Sequence, residues 1–332
     1  MVRFRRLDLG DDAALAEAYA VECAATARAR PGWVPLGEAA RVAAWRAEGG
    51  WTRRLVGAVE ADRLVGLGAG QVAADTPDTC WVAVSVLPEE QHHGVGSALV
   101  RAVEAEAPAG VRRFVASAYR PTAEALDRLV QGFATPLGYA QATTETVVEL
   151  DLHRSVLPTA PAAPGYTVAT FVDGVPDRLR AQVGELMGLV DAEAPHGDLG
   201  WEPTPVSPEQ YAAEVGLWRA QGRTVIESLA QDGRGDVVAW TCLLVAADQA
   251  RPAQVEGTVV RAEHRGRGLG RAVKVASLRT AQAHGGATRV RTSSDDANVW
   301  MRSINDGLGF VPVESEVLLQ TSGASPAVVL PA

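Results

Sequence analysis

Two short glycine-rich elements carry the clearest chemistry in this sequence. One is Gln91-His92-His93-Gly94-Val95-Gly96; the other is Arg265-Gly266-Arg267-Gly268-Leu269-Gly270. Each follows a strand-like apolar run (residues 82–87 and 255–260) and opens a helix-like run (97–106 and 271–283). A strand that turns into a helix in this way presents free N–H groups and the positive end of the helix dipole, a geometry that binds phosphate. Glycine lets the backbone approach the anion and take φ > 0. Three readings compete. A Walker loop needs GxxxxGK[ST], and neither copy has the lysine. A dinucleotide fingerprint sits early in a βαβ unit and needs an acidic partner; the second copy has its glycines late in its domain. The pattern Gln/Arg-x-x-Gly-x-Gly after a fourth strand fits both copies. A tight turn without a ligand would account for one such element, but poorly for two in the same surroundings.

The elements that must position these loops repeat as well. Each half reads as a first strand (2–9; 166–171) and two helices (12–29 and 36–48; 176–190 and 208–221). A strand pair follows (54–60 with 64–72; 224–230 with 237–245), then the strand–loop–helix. Next come a strand (111–117; 288–293), a helix (122–133; 297–307), a Gly-aromatic pair (Gly138-Tyr139; Gly309-Phe310) and a last strand (144–150; 311–319). Pro158, Pro161 and Pro164 mark a stiff, extended stretch between the copies. The expected organisation is a domain at 1–155, a linker at 156–165 and a domain at 166–332.

Composition bounds the function. A chain of 332 residues, 47% hydrophobic and 21% charged, has material for two globular cores. A net charge of −9 provides no basic field for nucleic acid or an anionic membrane. Cys23, Cys80 and Cys242 are far apart and show no metal-ligand spacing, so a reduced compartment and no metal site are expected. No run is long and apolar enough for a membrane span or a signal core, and a cytoplasmic protein is expected. Lys274 is the only lysine among 31 basic residues. With the heavy use of Ala, Gly and Val, this reads as GC-rich coding rather than function.

The run His264 to Gly270, with Asn298, Leu308, Gly309 and Phe310 downstream, resembles the GNAT superfamily of acyl-CoA-dependent N-acyltransferases. The whole chain resembles a tandem pair of such domains, the arrangement of the mycothiol synthase-like proteins of actinobacteria. The resemblance implies an α/β (α+β) fold of two tandem domains. Each would be a mixed, mostly antiparallel twisted sheet flanked by helices and splayed after its fourth strand. It implies acetyl-CoA, or another acyl-CoA, as donor and a small-molecule amine as acceptor. Arg265, Gly266, Arg267, Gly268, Leu269, Gly270 and Arg271 would hold the diphosphate. Val259 and Val260 would offer backbone groups to the pantetheine arm. Gln91, Gly94 and Gly96 are the matching positions of the first copy.

Acyl transfer to an alkyl amine requires loss of a proton, since such amines have pKa values of about 10.4. Glu256, four residues before Val260, is the candidate base; strand alternation would put it on one face with Thr258 and Val260. Glu227, on a neighbouring strand, is a weaker candidate that would face the substrate. The stretch holding Asp191, Glu193, His196, Asp198 and Trp201 is expected to cover the acceptor. Many family members carry a tyrosine seven residues after the Asn298 position to protonate the leaving thiolate; here that residue is Asn305. A thiol with a pKa of about 8.5 leaves tolerably without it. Asn298 and Asn305 are expected to bond the donor arm, with a helix cap or surface amide as the structural alternative, and Trp300 and Met301 to lie in the core. In the first copy Val82 takes the Glu256 position and the helix before Gly138 has no matching asparagine, so this copy is expected to keep the fold without catalysis. The competing function is a CoA-binding or scaffold protein with no turnover.

Overall fold

Strands rich in Val, Leu and Ala send apolar side chains to both faces of a sheet, and amphipathic helices must cover each face. The computed structural model describes residues 2–47, 50–74, 76–193, 205–248 and 250–322. The chain forms two compact units, one of Met1–Thr144 with Glu314–Ala332 and one of Glu145–Val313.

Unit 1 begins with β1 (Arg3–Arg6), α1 (Asp12–Ala29), α2 (Glu38–Arg46), β2 (Trp51–Glu60), β3 (Arg63–Ala73) and β4 (Thr79–Val86). It continues with α3 (Val95–Ala105), β5 (Arg113–Arg120) and α4 (Ala123–Leu129), and the chain then enters β6 (Ala140–Asp151). Unit 2 carries β7 (Thr167–Val172), α5 (Asp177–Glu193), α6 (Pro208–Ala220), β8 (Arg223–Gln231), β9 (Val237–Ala246) and β10 (Ala253–Val260). After these come α7 (Leu269–His284), β11 (Arg289–Asp295), α8 (Val299–Asp306) and finally β12 (Val311–Ser322).

The sheet of unit 1 runs β1-β2-β3-β4-β5-β12 and that of unit 2 runs β7-β8-β9-β10-β11-β6. Every pairing is antiparallel except β4–β5 and β10–β11, which are parallel. One face of unit 1 packs Leu15, Val21, Trp45, Leu55 and Leu67 under α1 and α2; the other packs Val56, Leu99, Val103, Phe114 and Leu126 under α3 and α4. In unit 2, Leu186, Tyr211, Val225, Leu229 and Trp240 fill the α5/α6 face, and Ile226, Val275, Leu278, Val290 and Phe310 the α7/α8 face. The helices are capped locally. Asp11 accepts from the N–H groups of Ala13 and Ala14, and Ser207 with Gln210 closes a capping box ahead of Pro208.

The strand that closes each sequence repeat departs from the expected organisation. Residues 144–150 were expected to finish the first copy's sheet, yet β6 pairs with β11, Leu150 opposite Val290. Residues 311–319 were expected to finish the second, yet β12 pairs with β5, Leu319 opposite Ala116. The cuts between units fall inside β6 and β12, not at 155–165. Alternation tells which side chains of a strand face a core, but an open sheet edge accepts any strand of the right pattern, so the partner is not encoded locally.

The parallel pairs are short. β4 pairs with β5 only at Thr79, Cys80 and Trp81, and β10 with β11 only at Ala253 and Gln254. Beyond these residues the two strands diverge in each unit. This opens a cleft whose floor is sheet backbone.

Candidate active site

The register around the cleft decides which backbone groups face it. The N–H of Arg261 donates to the carbonyl of Val238, and Val260 lies opposite Ala239. In an antiparallel ladder, hydrogen-bonded pairs alternate with open ones. Val259 therefore bonds Trp240 on β9, while Val260 and Thr258 turn their N–H and C=O away from β9, toward the side where β11 has left. Unit 1 repeats this: Leu87 N–H donates to Val65, so Val86 faces the opening. Val260, whose backbone is expected to meet the pantetheine arm, lies on this open side. The expectation for Val259 is corrected: its peptide groups belong to the sheet ladder and its side chain is buried in the α5/α6 core.

The loop after each strand has one backbone shape in both copies. Arg265 Nε donates to the Val260 carbonyl at 3.1 Å, and Gln91 Nε2 to the Val86 carbonyl at 3.0 Å. Gly266 and Gly268 take φ of 75° and 72°; His92 and Gly94, at the matching places, take 65° and 83°. Among the described residues a Cβ at Gly94, Gly266 or Gly268 would meet nothing within 4 Å, so these glycines serve the positive φ and the open space above them rather than packing. Among the described residues no side chain caps α3 or α7. The first intrahelical bond of α7 runs from Ala272 to Gly268, which leaves the amides of Leu269, Gly270 and Arg271 without helical acceptors. Leu269 is itself buried and contributes only its amide. An uncapped, glycine-lined helix start beside a strand-floored cleft fits a diphosphate followed by an extended arm. Arg267 bonds Tyr166 Oη, which lies 2.9 Å from His264 Nδ1, so Tyr166 borders the loop without any sequence signal at loop spacing. Arg271 is exposed, its guanidinium 3.3 Å from the Gly307 carbonyl.

On the opposite face of unit 2 the acids gather. The β10 register slips between Val255 and Gly257, so Glu256 occupies a bulge. A bulge puts consecutive side chains on one face. Gly257 faces Trp240 and Val190, Val255 packs toward α7, and Glu256 feels Glu214 of α6 and Arg223 of β8. Glu256 thus lies on the α5/α6 face and not with Thr258 and Val260, because the extra residue breaks the alternation assumed from sequence. Its side chain reaches solvent, but the surrounding protein raises its carboxyl pKa; Arg223 opposes this and Glu214 adds to it. Glu214 is itself raised by burial. It stands one turn after Tyr211 on α6, and that spacing with a buried tyrosine is the signal by which sequence reading could have found it.

Glu227 is fully buried. It accepts from Tyr211 Oη at 2.5 Å and Trp240 Nε1 at 2.9 Å, and burial raises its carboxyl against those bonds. Its expected contact with a substrate is corrected: sealed in the sheet, it ties α6 to β9. Burial, with Glu227, Glu256 and Glu214 nearby, pushes the Cys242 thiol well up. The registers place Leu55 where unit 2 has Glu227 and Leu67 where it has Trp240. β4 has no bulge, and Val82 packs in the α3/α4 core. Unit 1 therefore has the loop and the cleft but not the acids.

Asn298 caps α8, its side chain accepting from Met301 N–H at 3.1 Å, so the cap alternative describes its observed contact. Asn305 is buried, with Oδ1 accepting from Lys274 Nζ at 2.6 Å. Trp300 was expected in the core but is 82% exposed, because the short α8 buries only its opposite side. Asp191 and Glu193 fall in the last turn of α5, where side chains lie outside the described residues, as do His196, Asp198 and Trp201 altogether. Among the described residues no helix is long and apolar enough to cross a membrane, and no group of three His, Cys, Asp or Glu could hold a metal ion.

A glycine loop opening a helix beside a splayed parallel pair, twice in one chain, defines a class of acyl-CoA-using proteins. The sequence pattern of the acetyltransferase (GNAT) family matches residues 20–129 and 196–306, and the chain belongs to that family as a tandem acyltransferase. Among solved structures it is similar to a tandem GNAT protein from the clavulanic acid biosynthesis pathway, with TM-score 0.80, 23% identity, and coverage of 98% of this chain and 99% of that one. It is also similar to a GCN5-related N-acetyltransferase from Sphaerobacter thermophilus (TM-score 0.67, 18% identity, 98% and 97% covered). A third is a putative acetyltransferase from Pyrococcus horikoshii (TM-score 0.57, 11% identity, 98% and 90% covered). Curated protein sequences gave no match.

Proposed function

We propose that unit 2 transfers an acetyl group from acetyl-CoA to a primary amine of a small molecule, by direct attack of the amine, in the cytoplasm. The observation that carries this reading is the bulge at Glu256, which brings a carboxylate of raised pKa to the α5/α6 face of the strand whose far edge forms the cleft. The donor supplies a thioester carbonyl. The amides of Leu269, Gly270 and Arg271 hold its diphosphate, and the peptide groups of Val260 and Thr258 line the path of its arm. Such backbone donors also suit the negative charge that develops on the carbonyl oxygen. Glu256 takes the proton from the attacking amine, directly or through one water. A raised carboxyl is the better base here, because its pKa lies closer to neutral. The carboxylates of Glu214 and Glu256 favour an acceptor that arrives as a cation.

Unit 1 repeats the loop and the cleft without bulge or acids, which supports a donor-binding or structural half. The alternative, a protein that binds CoA and does not turn it over, would have both halves like this one. Thiol release from acetyl-CoA over a panel of small amines decides between them. Turnover that Glu256→Gln suppresses and Gly268→Glu abolishes supports the enzyme. Tight CoA binding with no turnover on any amine supports the alternative.

A further inference from the structure

Lys274, the chain's only lysine, is 1% exposed on α7. Its Nζ donates to Asn305 Oδ1 at 2.6 Å, lies 3.6 Å from Met301 Sδ and sits over the Phe310 ring at 5.6 Å. None of these is an anion. Arg271 and Arg279 of α7 bond backbone carbonyls, and Arg302 and Asp306 of α8 are exposed. Of the strands beneath α7, β7 has no titratable side chain. Those of β8, β9 and β10, namely Arg223, Glu227, Cys242 and Glu256, lie on the α5/α6 face. Burial alone therefore acts on the amine, and draws it down to about 7. A buried ammonium without a counter-charge is costly, and the chain holds none for it among the described residues.

The charge lies beneath a second positive feature. Long side chains on a helix lean toward its N-terminus. Lys274, in the second turn of α7, thus leans toward the uncapped start at Leu269, Gly270 and Arg271. A Cβ at Gly270 would stand 3.5 Å from Ile304, and the amide that receives Nζ belongs to the next residue, Asn305. The ammonium and the positive end of the helix dipole therefore share one end of α7. Each disfavours the other, and an anion at the helix start relieves both.

Unit 1 shows that the fold does not require this arrangement. Val100 stands six residues after Gly94, as Lys274 stands six after Gly268. The Ala134 carbonyl accepts the Tyr139 N–H at 3.1 Å, as that of Asn305 accepts the Phe310 N–H at 3.1 Å. Val100 and Ala134 are buried together in an apolar cluster. The same seam is filled by Val and Ala in one unit and by Lys and Asn in the other.

We propose that Lys274 supplies a buried counter-charge for the donor's diphosphate, acting on the anion at the start of α7 through the protein rather than by contact. The inference rests on the acyl-CoA reading above. The two charges feel each other because the material between them is protein of low dielectric and not water. In the free protein the amine is about half neutral at pH 7. The bound anion favours the charged form, so donor binding draws a proton from solvent onto Nζ. No bond of the donor forms or breaks in this step.

The test is calorimetric titration of the intact chain with CoA in buffers of different ionisation enthalpy, which counts the protons taken up. For a rise of about one pH unit at Nζ, the wild type should take up about half a proton per donor at about pH 7.5. Dephospho-CoA, which keeps the diphosphate, should give the same uptake. The variant Lys274→Val with Asn305→Ala takes the residues that unit 1 already packs at these places and alters unit 2 alone. It should fold, bind CoA and lose the uptake. Lys274→Met, close to lysine in length, should lose it too. The wild type should bind CoA roughly tenfold more tightly than either variant at about pH 6, and no more tightly at about pH 9. Uptake that survives in the variants, or that vanishes with dephospho-CoA, overturns the proposal. So does an affinity gap of one size at both pH values, which a merely structural role would give. If CoA does not bind the wild type at any of these pH values, the acyl-CoA reading falls instead.

Discussion

Arg265 donates from Nε to the Val260 carbonyl at 3.1 Å, the bond that Gln91 makes to Val86 at 3.0 Å. Two chemically different side chains hold one strand end against one loop. In both copies the long side chain reaches back to give an N–H to the carbonyl at the strand end. Arg265→Gln should retain donor affinity within about twofold, whereas Arg265→Ala should weaken it by roughly fivefold through loss of the bond to Val260, worth about 1 kcal/mol. Isothermal titration with CoA measures both. Equal losses in the two variants would show that the charge matters.

Glu256 is the carboxylate the bulge re-aims. Replacing it with Gln keeps the size and removes the base, so turnover with a small amine should fall about 10²–10⁴-fold with little change in CoA affinity. Its pKa is raised, so the base is lost as pH falls through a value above the ordinary carboxylate range. The wild-type rate should show that acidic limb and Glu256→Gln should lack it. A variant with unchanged rate and limb would assign the proton to another group.

Gly268 and Gly94 have matching φ values of 72° and 83° and the same open space above them. Gly268→Glu places a strained residue and a negative charge at the helix start of unit 2, and should abolish acetyl transfer in a protein that still folds. Gly94→Glu makes the same change in unit 1 and should leave transfer near the wild-type rate. Loss of transfer from Gly94→Glu alone would move the chemistry, or part of it, to unit 1.

Lys274 makes stability depend on pH. Its folded pKa of about 7 lies below its ordinary 10.5. Between these values the unfolded chain binds more protons than the folded one, so stability rises with pH across that window. Below about pH 7 both states hold the proton, and the full burden of the buried charge is present. With each pKa unit worth about 1.4 kcal/mol, Lys274→Val with Asn305→Ala should be more stable than wild type by a few kcal/mol near neutral pH. The gain should fade toward pH 10. Denaturant midpoints across this range measure it, and a gain independent of pH would mean that the amine is not titrating in the core.

Much of the fold was legible because local rules carry it. Period-two runs marked most strands, and the two glycine loops marked the helix starts they open. Glu256 was legible as a residue but not in its direction, because a one-residue slip in register reverses a side chain and no single residue signals it. Lys274 was read as a trace of coding bias. Nothing in its neighbours along the chain says that a helix will bury it against an asparagine thirty-one residues away.

The sequence by itself determined that one strand–loop–helix pattern occurs twice, with acids only in the second copy. Backbone geometry at Gly94, Gly266 and Gly268 is local, and local conformational preference is written residue by residue. Only the tertiary structure decided which strand closes which sheet, which face Glu256 takes, and what surrounds Lys274. Those outcomes depend on contacts between residues distant in the chain, where the gain from burial is set by the partner that packing supplies.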